Sequence, residues 1–451
     1  MRKTNKVNDP NRIKFGEKMS FFLCNVGNIP LMLLLSTFFL IFYTDVVGLD
    51  AGKLATLFLI SKIMDGISDP IMGFLLDKFP VTKRGKFRPM LILGTVICVI
   101  NYILLWFGAV WVPAGKYAVV YITYLLLGWT FDIMDISLNS LLPVMTAEPK
   151  ERNSLSLIKM IGYVLGGMAV SIVGPIIVAD GSLQSYYALI LGAMAIVLVF
   201  SIGGVLGVKE RVEFKGTENE KYTLKELFGF LASKPVLVTF IASLCITLAS
   251  YVQSSSNAYF YTYIMGDLAL LSGVSAMSMA GMIPAVILSP IVANKIGKKK
   301  VFVGGLIVAV AGYVLRLINI KSLSLLYVSQ ILVSFGTGFT STLLYGIQAD
   351  NTTFVQYTTG KRAEAAVASL SSFITKVGQG VAGALPGYIL AATGFVANAA
   401  AQSQAVNSGI ISCVVILPAV FLIVACVIFG KGYTLTREKV IEMTDAIKED
   451  M

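Results

Sequence analysis

Long apolar runs recur down the chain, separated by short polar or basic breaks. Each is long enough for a helix to cross a bilayer, which takes roughly 20 residues. The short alternating segments of a β-barrel are absent. The pattern predicts twelve spans at about 20–43, 53–77, 89–110, 117–145, 155–178, 185–207, 236–264, 268–293, 301–318, 323–349, 363–391 and 408–430. Residues 208–235, VKERVEFKGTENEKYTLKELFGFLASKP, form the longest charged break. They set the expected organisation: an N-terminal six-helix bundle at 1–207, a central loop at 208–235, a C-terminal six-helix bundle at 236–431 and a tail at 432–451.

Composition agrees with a polytopic helical membrane protein. The chain has 451 residues, of which 56% are hydrophobic and 14% charged, against about 45–50% and 25% in soluble domains. Mean hydropathy is +0.80. The net charge of +11 would suggest nucleic acid in a soluble protein. Here the basic residues cluster in alternate loops, which is a topology signal, and no basic face interleaved with aromatics appears, so nucleic acid is not an expected partner. Arg2, Lys3, Lys6, Arg12, Lys14 and Lys18 precede the first span. Lys83, Arg84, Lys86 and Arg88 follow the second, and Lys295, Lys298, Lys299 and Lys300 follow the eighth. Opposite loops offer little beyond Lys53, Lys116 and Lys321. Both termini are expected in the cytoplasm, in an inner (plasma) membrane, with no cleavable signal at the start. The five cysteines lie in apolar segments without metal spacing and read as buried free thiols. With no histidine, a proton relay must use carboxylates with lysine as partner.

The two halves echo each other. KRGKFR and KIGKKK follow the second span of each, and PKERNSLSLIKMIG and TTGKRAEAAVASLSSFITKVG follow the fourth. Such a parallel repeat suggests a transporter. The RGKFRP loop is expected to serve topology and contacts between helix ends.

Charges inside the apolar spans carry the candidate chemistry. Lys62, Asp65 and Asp69 share one helical face. Asp65 lies roughly 18 Å from either end of its span, near the bilayer centre. Asp132 and Asp135 on the fourth span and Lys376 on the eleventh lie at similar depth. A charge there costs about 2.5–3.5 kcal/mol or more. Four carboxylates (Asp65, Asp69, Asp132, Asp135) face three lysines (Lys62, Lys159, Lys376). That deficit invites a mobile cation: a proton on a carboxylate raised by burial and like charge, or Na⁺ held by Asp65 and Asp69 as hard oxygen ligands. Pure helix-to-helix neutralisation is the bland alternative.

Polar groups nearby suit a polyhydroxylated ligand, since hydroxyls need donors and acceptors. They include Asn28, Trp129, Asn139, Gln253, Asn257, Tyr261, Tyr345, Gln348, Ser372 and Gln379. For each, hydrogen bonding between helices is an equal reading, and the aromatic run YFYTY on the seventh span can equally be an interfacial belt. Arg316, near a span end, is expected to snorkel.

FYTDVVGL (42–49), TLFLISKIMDGISDPIMGFLLD (56–77), RGKFRP (84–89), YLLLGWTFDIMDI (124–136), ERNSLSLIKMIG (151–162) and TGKRAEAAVASLSSFITKVG (359–378) together resemble the glycoside–pentoside–hexuronide:cation symporter family, the melibiose-permease family of the major facilitator superfamily. The likeness runs over nearly the whole chain. It implies an all-α membrane protein with twelve transmembrane helices in two pseudo-symmetric six-helix bundles. It also implies a sugar or glycoside carried with H⁺, Na⁺ or Li⁺ by alternating access. By resemblance, Asp65 and Asp69 match the cation-site aspartates, Lys376 the lysine beside that site, and Asp135 the aspartate that binds sugar hydroxyls. Lys159 stands where the family often has arginine.

The family pattern is not followed throughout. Ser68 replaces an asparagine, Asp132 a threonine, Asn139 a tryptophan, and Ile29, beside Asn28, an aspartate. The expected cation set is Asp65, Ser68, Asp69, Asp132 and Lys376. The expected substrate set is Asn28, Trp129, Asp135, Asn139, Lys159, Ser372 and Gln379. No galactoside pocket is implied, and Asp132 can favour either protons or sodium. A lipid or amphiphile transporter on the same fold is the rival reading. No nucleophile–base pair, metal cluster or phosphate loop points to an enzyme. The expected partners are solute, coupling cation and membrane lipid, and the expected state is a monomer.

Overall fold

In lipid every backbone N–H and C=O must be satisfied within its own segment, so apolar runs of this length become helices. The computed structural model describes residues 13–449 except 83, 147, 213–228, 230–232 and 361–363, and within the helices it leaves some side chains undescribed, among them those of Ser68 and Asp69. Twelve long helices follow the predicted spans: α1 (Phe15–Ile41), α2 (Ala51–Lys78), α3 (Phe87–Trp111), α4 (Lys116–Met145), α5 (Pro149–Ile177), α6 (Leu183–Gly207), α7 (Lys234–Tyr259), α8 (Leu270–Ile296), α9 (Lys298–Ile318), α10 (Leu323–Thr359), α11 (Glu364–Thr393) and α12 (Gln404–Gly432). A further helix, α13 (Arg437–Glu449), is amphipathic and packs on α10. Among the described residues, ten of the twelve are long and apolar enough to cross a membrane. α2 and α11 are outside that group, and they carry Lys62, Asp65, Asp69 and Lys376.

α10 runs ten residues beyond its predicted end because polar contacts carry it on. Lys298 Nζ donates to both Asp350 carboxylate oxygens at 2.8 Å and to Gly346 O at 3.0 Å. Asn351 donates to Thr239 Oγ1 at 2.9 Å. Hydropathy sees the lost apolarity there, not the capping partners.

The chain forms two compact units, Met1–Leu35 with Ile63–Thr217, and Ser36–Lys62 with Glu218–Met451. In the first, α3 packs on α4 and α6. Its basic end is tied by carboxylates. Glu17, 6% exposed, binds the Arg211 guanidinium at 2.6 and 2.8 Å. Glu210 accepts from the backbone N–H groups of Lys86 and Arg88, both at 2.8 Å, at the start of α3 where a helix N-terminus favours an anion. Gly85, at φ +97°, leaves room for it. The RGKFRP loop thus joins helix ends.

The second unit includes the end of α1 and the start of α2. A π-helical turn, FYTDV (Phe42–Val46), ends α1, and a matching turn, FYTYI (Phe260–Ile264), ends α7. Both lead to a left-handed glycine, Gly48 at φ 71° and Gly266 at φ 78°. Their backbone bonds correspond: Val47 N to Phe42 O and Met265 N to Phe260 O, both 3.1 Å. The turns face each other: Thr44 and Tyr259 hydroxyls are 2.7 Å apart, and Tyr263 donates to Asp45 Oδ2. Tyr259, Phe260 and Tyr261 are buried, with Tyr259 edge-on to Phe395 at 5.4 Å, so this run is core and not an interfacial belt. Arg316, expected to snorkel, is also fully buried: its hydrogen bonds to Ser329 and Gln330 hold it inward. Four cysteines are buried and Cys426 is half-buried, all as free thiols.

Close helix approach rests on small residues. A Cβ on Gly305 of α9 would stand 2.7 Å from Gly336 O of α10, a backbone atom that cannot swing aside. Gly305→Leu is therefore expected to destabilise the folded protein by about 1–3 kcal/mol, read as a lower midpoint in denaturant unfolding of the purified protein. An unchanged midpoint would show that this contact is not tight.

Candidate functional site

In the first unit, four of the expected substrate residues join in one hydrogen-bonded chain. Asp135 and Asn139 lie four apart on α4 and so share a face. Asn28 on α1 donates to Asp135 Oδ1 at 3.0 Å. Asn139 donates to Asp135 Oδ2 at 2.8 Å, and its own Oδ1 accepts from Lys159 of α5. Lys159 also stands over the Tyr163 ring, 5.4 Å from its centroid. The carboxylate is thus held by two amide donors, and the lysine reaches it through an amide.

The chain grades from buried Asn28, 3% exposed, to exposed Asn139. A carboxylate only accepts and an ammonium only donates. Side by side with amides, which do both, they match vicinal hydroxyls.

Asp65 of α2 stands against α4. A Cβ on Gly128 would lie 2.5 Å from Asp65 Oδ1, so the glycine makes the space for the carboxylate. Gly128, Asp132 and Asp135 are spaced by four and three residues, one face of α4. The face that receives Asp65 therefore also bears Asp132 and Asp135. Asp132 and Trp129 are half-buried. Ser68 and Asp69 follow Asp65 on α2, and their side chains lie outside the described residues.

The other expected residues belong to the second unit. Lys376 on α11 is half-buried, and Ser372, one turn earlier, is exposed. Gln379 donates to Tyr251 Oη at 2.9 Å. A Cβ on Gly380, one turn after Lys376, would stand 2.6 Å from Lys62 Cβ, so the Lys62 stem crosses α11 there. Two ammonium-bearing residues thus occupy adjacent helices of one unit. Gln253, a candidate for ligand contact, instead accepts from Tyr313 Oη at 2.6 Å and is buried. Sequence reasoning missed Gly128 and Tyr163. Gly128 carried no signal, whereas Tyr163 sits one helical turn after Lys159, a spacing that gives access to it.

The model of the family described as MFS/sugar transport protein matches residues 20–437. The chain belongs to this family. Relatives include a putative sulfoquinovose importer of Escherichia coli K12, 28% identical, covering 95% of this chain and 92% of the relative. The isoprimeverose transporter of Lactiplantibacillus pentosus is 30% identical over 88% of this chain and 83% of its own. The glucuronide carrier protein homolog of Escherichia coli K12 is 28% identical over 89% and 88%. Solved structures share the fold. A mutant of the nucleoside transporter NupG superimposes with TM-score 0.68 at 12% identity, covering 93% of this chain and 100% of that one. A bacterial homolog of the human lysosomal transporter Spinster gives 0.67 at 14% identity, covering 95% and 97%. This member of the MFS/sugar transport family is a membrane-spanning transporter of the major facilitator fold, not an enzyme.

Since Gly128 makes the space for the Asp65 carboxylate, a Cβ there must displace it, so Gly128→Ala should carry a penalty that depends on Asp65. In an Asp65→Ala background the penalty should shrink by at least about 0.5 kcal/mol, the scale of coupling between touching residues. Unfolding midpoints of the two singles and the double give the cycle; additive effects would disconnect the two positions.

Proposed function

We propose that the protein is a secondary symporter that carries a sugar or glycoside with H⁺ or Na⁺ by alternating access. The observation that carries this reading is the Asn28–Asp135–Asn139–Lys159 chain, with Asp65 set against the same face of α4. Carboxylates in apolar helices are costly, and those present mark ion or substrate pathways by default. Relatives named for sulfoquinovose, isoprimeverose and glucuronide transport all carry sugars or sugar acids in their names, which supports a polyhydroxylated solute here.

The solute set in this proposal is Asn28, Asp135, Asn139 and Lys159 in the first unit, with Trp129, Ser372 and Gln379 as further contacts. The cation set is Asp65 and Asp69 with Ser68, Asp132 and Lys376, and with Na⁺ the ligands would be Asp65 and Asp69. The additional carboxylate Asp132 adds negative charge that either a proton or a sodium ion can neutralise. The helices before and after the central loop act as two moving halves, 1–207 and 236–431. The repeated FYTDV and FYTYI turns support a duplicated architecture. In this reading both termini lie in the cytoplasm, the side on which the basic loops cluster, and the protein works as a monomer in an inner membrane; the loop charges support the orientation.

A panel of glycosides, pentosides and glucuronides added to energy-depleted vesicles, with pH and sodium recorded together, tests this reading. One solute should draw in protons or sodium in step with its own entry, and no cation movement with any solute would contradict symport. Asp65→Ala and Asp69→Ala should each abolish accumulation against a gradient. Asp135→Asn should raise the solute KM at least about tenfold, the scale of losing a hydrogen bond to a charged group; unchanged uptake in all three variants would remove the mechanism.

A further inference from the structure

We propose that the second unit holds a binding site for a small monovalent anion, of the size and charge of chloride, built on Arg316. The site belongs to a different unit from the Asp135 chain and does not depend on the function proposed above.

Arg316, on α9, is 0% exposed. Its Nε donates to Ser329 Oγ at 2.9 Å and its Nη2 to Gln330 Oε1 at 2.8 Å. Nη1 is buried and makes no hydrogen bond among the described residues. Among the described residues no carboxylate lies within ion-pair distance of the guanidinium. The groups around it are neutral. Ser278 and Ser334 hydroxyls are 2.8 Å apart, and Gln330 Nε2 donates to both, at 3.3 and 3.2 Å. The Tyr313 ring lies 6.0 Å away, a weak attraction for a cation.

Arginine keeps its charge in proteins, and a buried charge without a counter-charge is among the costliest arrangements a fold can hold. Water or a hydroxyl can take a hydrogen bond from Nη1, yet neither removes the net charge. An anion does both. One guanidinium and neutral donors match a single negative charge; a divalent ion would leave a surplus of the opposite sign.

The test uses the purified full-length protein in detergent, with melting temperature followed as sodium glutamate is exchanged for sodium chloride, bromide or nitrate at constant ionic strength. The wild type should gain stability saturably with halide. Arg316→Gln should show a flat response. A flat wild-type titration, or an Arg316→Gln response equal to wild type, overturns the proposal. Should Arg316→Gln fail to fold, wild-type crystals soaked in bromide decide it. An anomalous peak about 3–3.5 Å from Nη1 supports the site, and no peak there at saturating bromide overturns it.

Discussion

A charge surrounded by apolar helices must find compensation, and the positions of this protein's polar residues follow from that requirement. The cost is at least about 2.5–3.5 kcal/mol for one charged side chain at mid-bilayer. Three different solutions appear. Within each unit there is a direct pair of opposite charge, Glu17 with Arg211 in the first and Lys298 with Asp350 in the second. Deep in the first unit, Asp135 is held by two amides, with Lys159 one amide further away. In the second unit, the hydrogen-bond partners of Arg316 among the described residues are neutral. The first solution fixes structure. The second leaves the carboxylate able to exchange an amide contact for a ligand hydroxyl, which a direct ion pair would resist.

The helix framework supports these arrangements through close backbone approach. Apolar side chains gain nothing by leaving lipid for one another, so packing depends on small residues and interhelical hydrogen bonds. Gly305 against Gly336 and Gly128 beneath Asp65 are two uses of the same device. One brings backbones together, and the other makes a niche for a charge.

The spans, the family and the residues of the Asp135 chain were legible in the sequence, because apolar length and intramembrane charge are strong signals. Asn139 one turn after Asp135 needed only helical periodicity. Other features were not legible. The paired turns FYTDV and FYTYI differ at two of five positions, and hydropathy cannot register a π-helical turn. Arg316 looked like a residue able to reach the membrane edge. Its burial depends on Ser329 and Gln330 of α10, which the sequence places only 13 and 14 residues away, across a tight connection. The aromatic run of α7 was ambiguous because a buried aromatic and an interfacial one have the same composition. Gly128 could not be singled out, since its role is to be absent from a space another helix fills.

If Asp65 and Asp135 serve one face of α4 in different tasks, then occupancy at one must change affinity at the other, and linkage requires the change to be equal in both directions. The decisive measurement is therefore calorimetric titration of the purified protein with its coupling cation in the absence and presence of saturating solute, and with solute in the absence and presence of cation. The account predicts the same factor greater than one from both pairs of titrations, on the order of 5–150-fold. Cation binding with identical affinity whether or not solute is bound would contradict it.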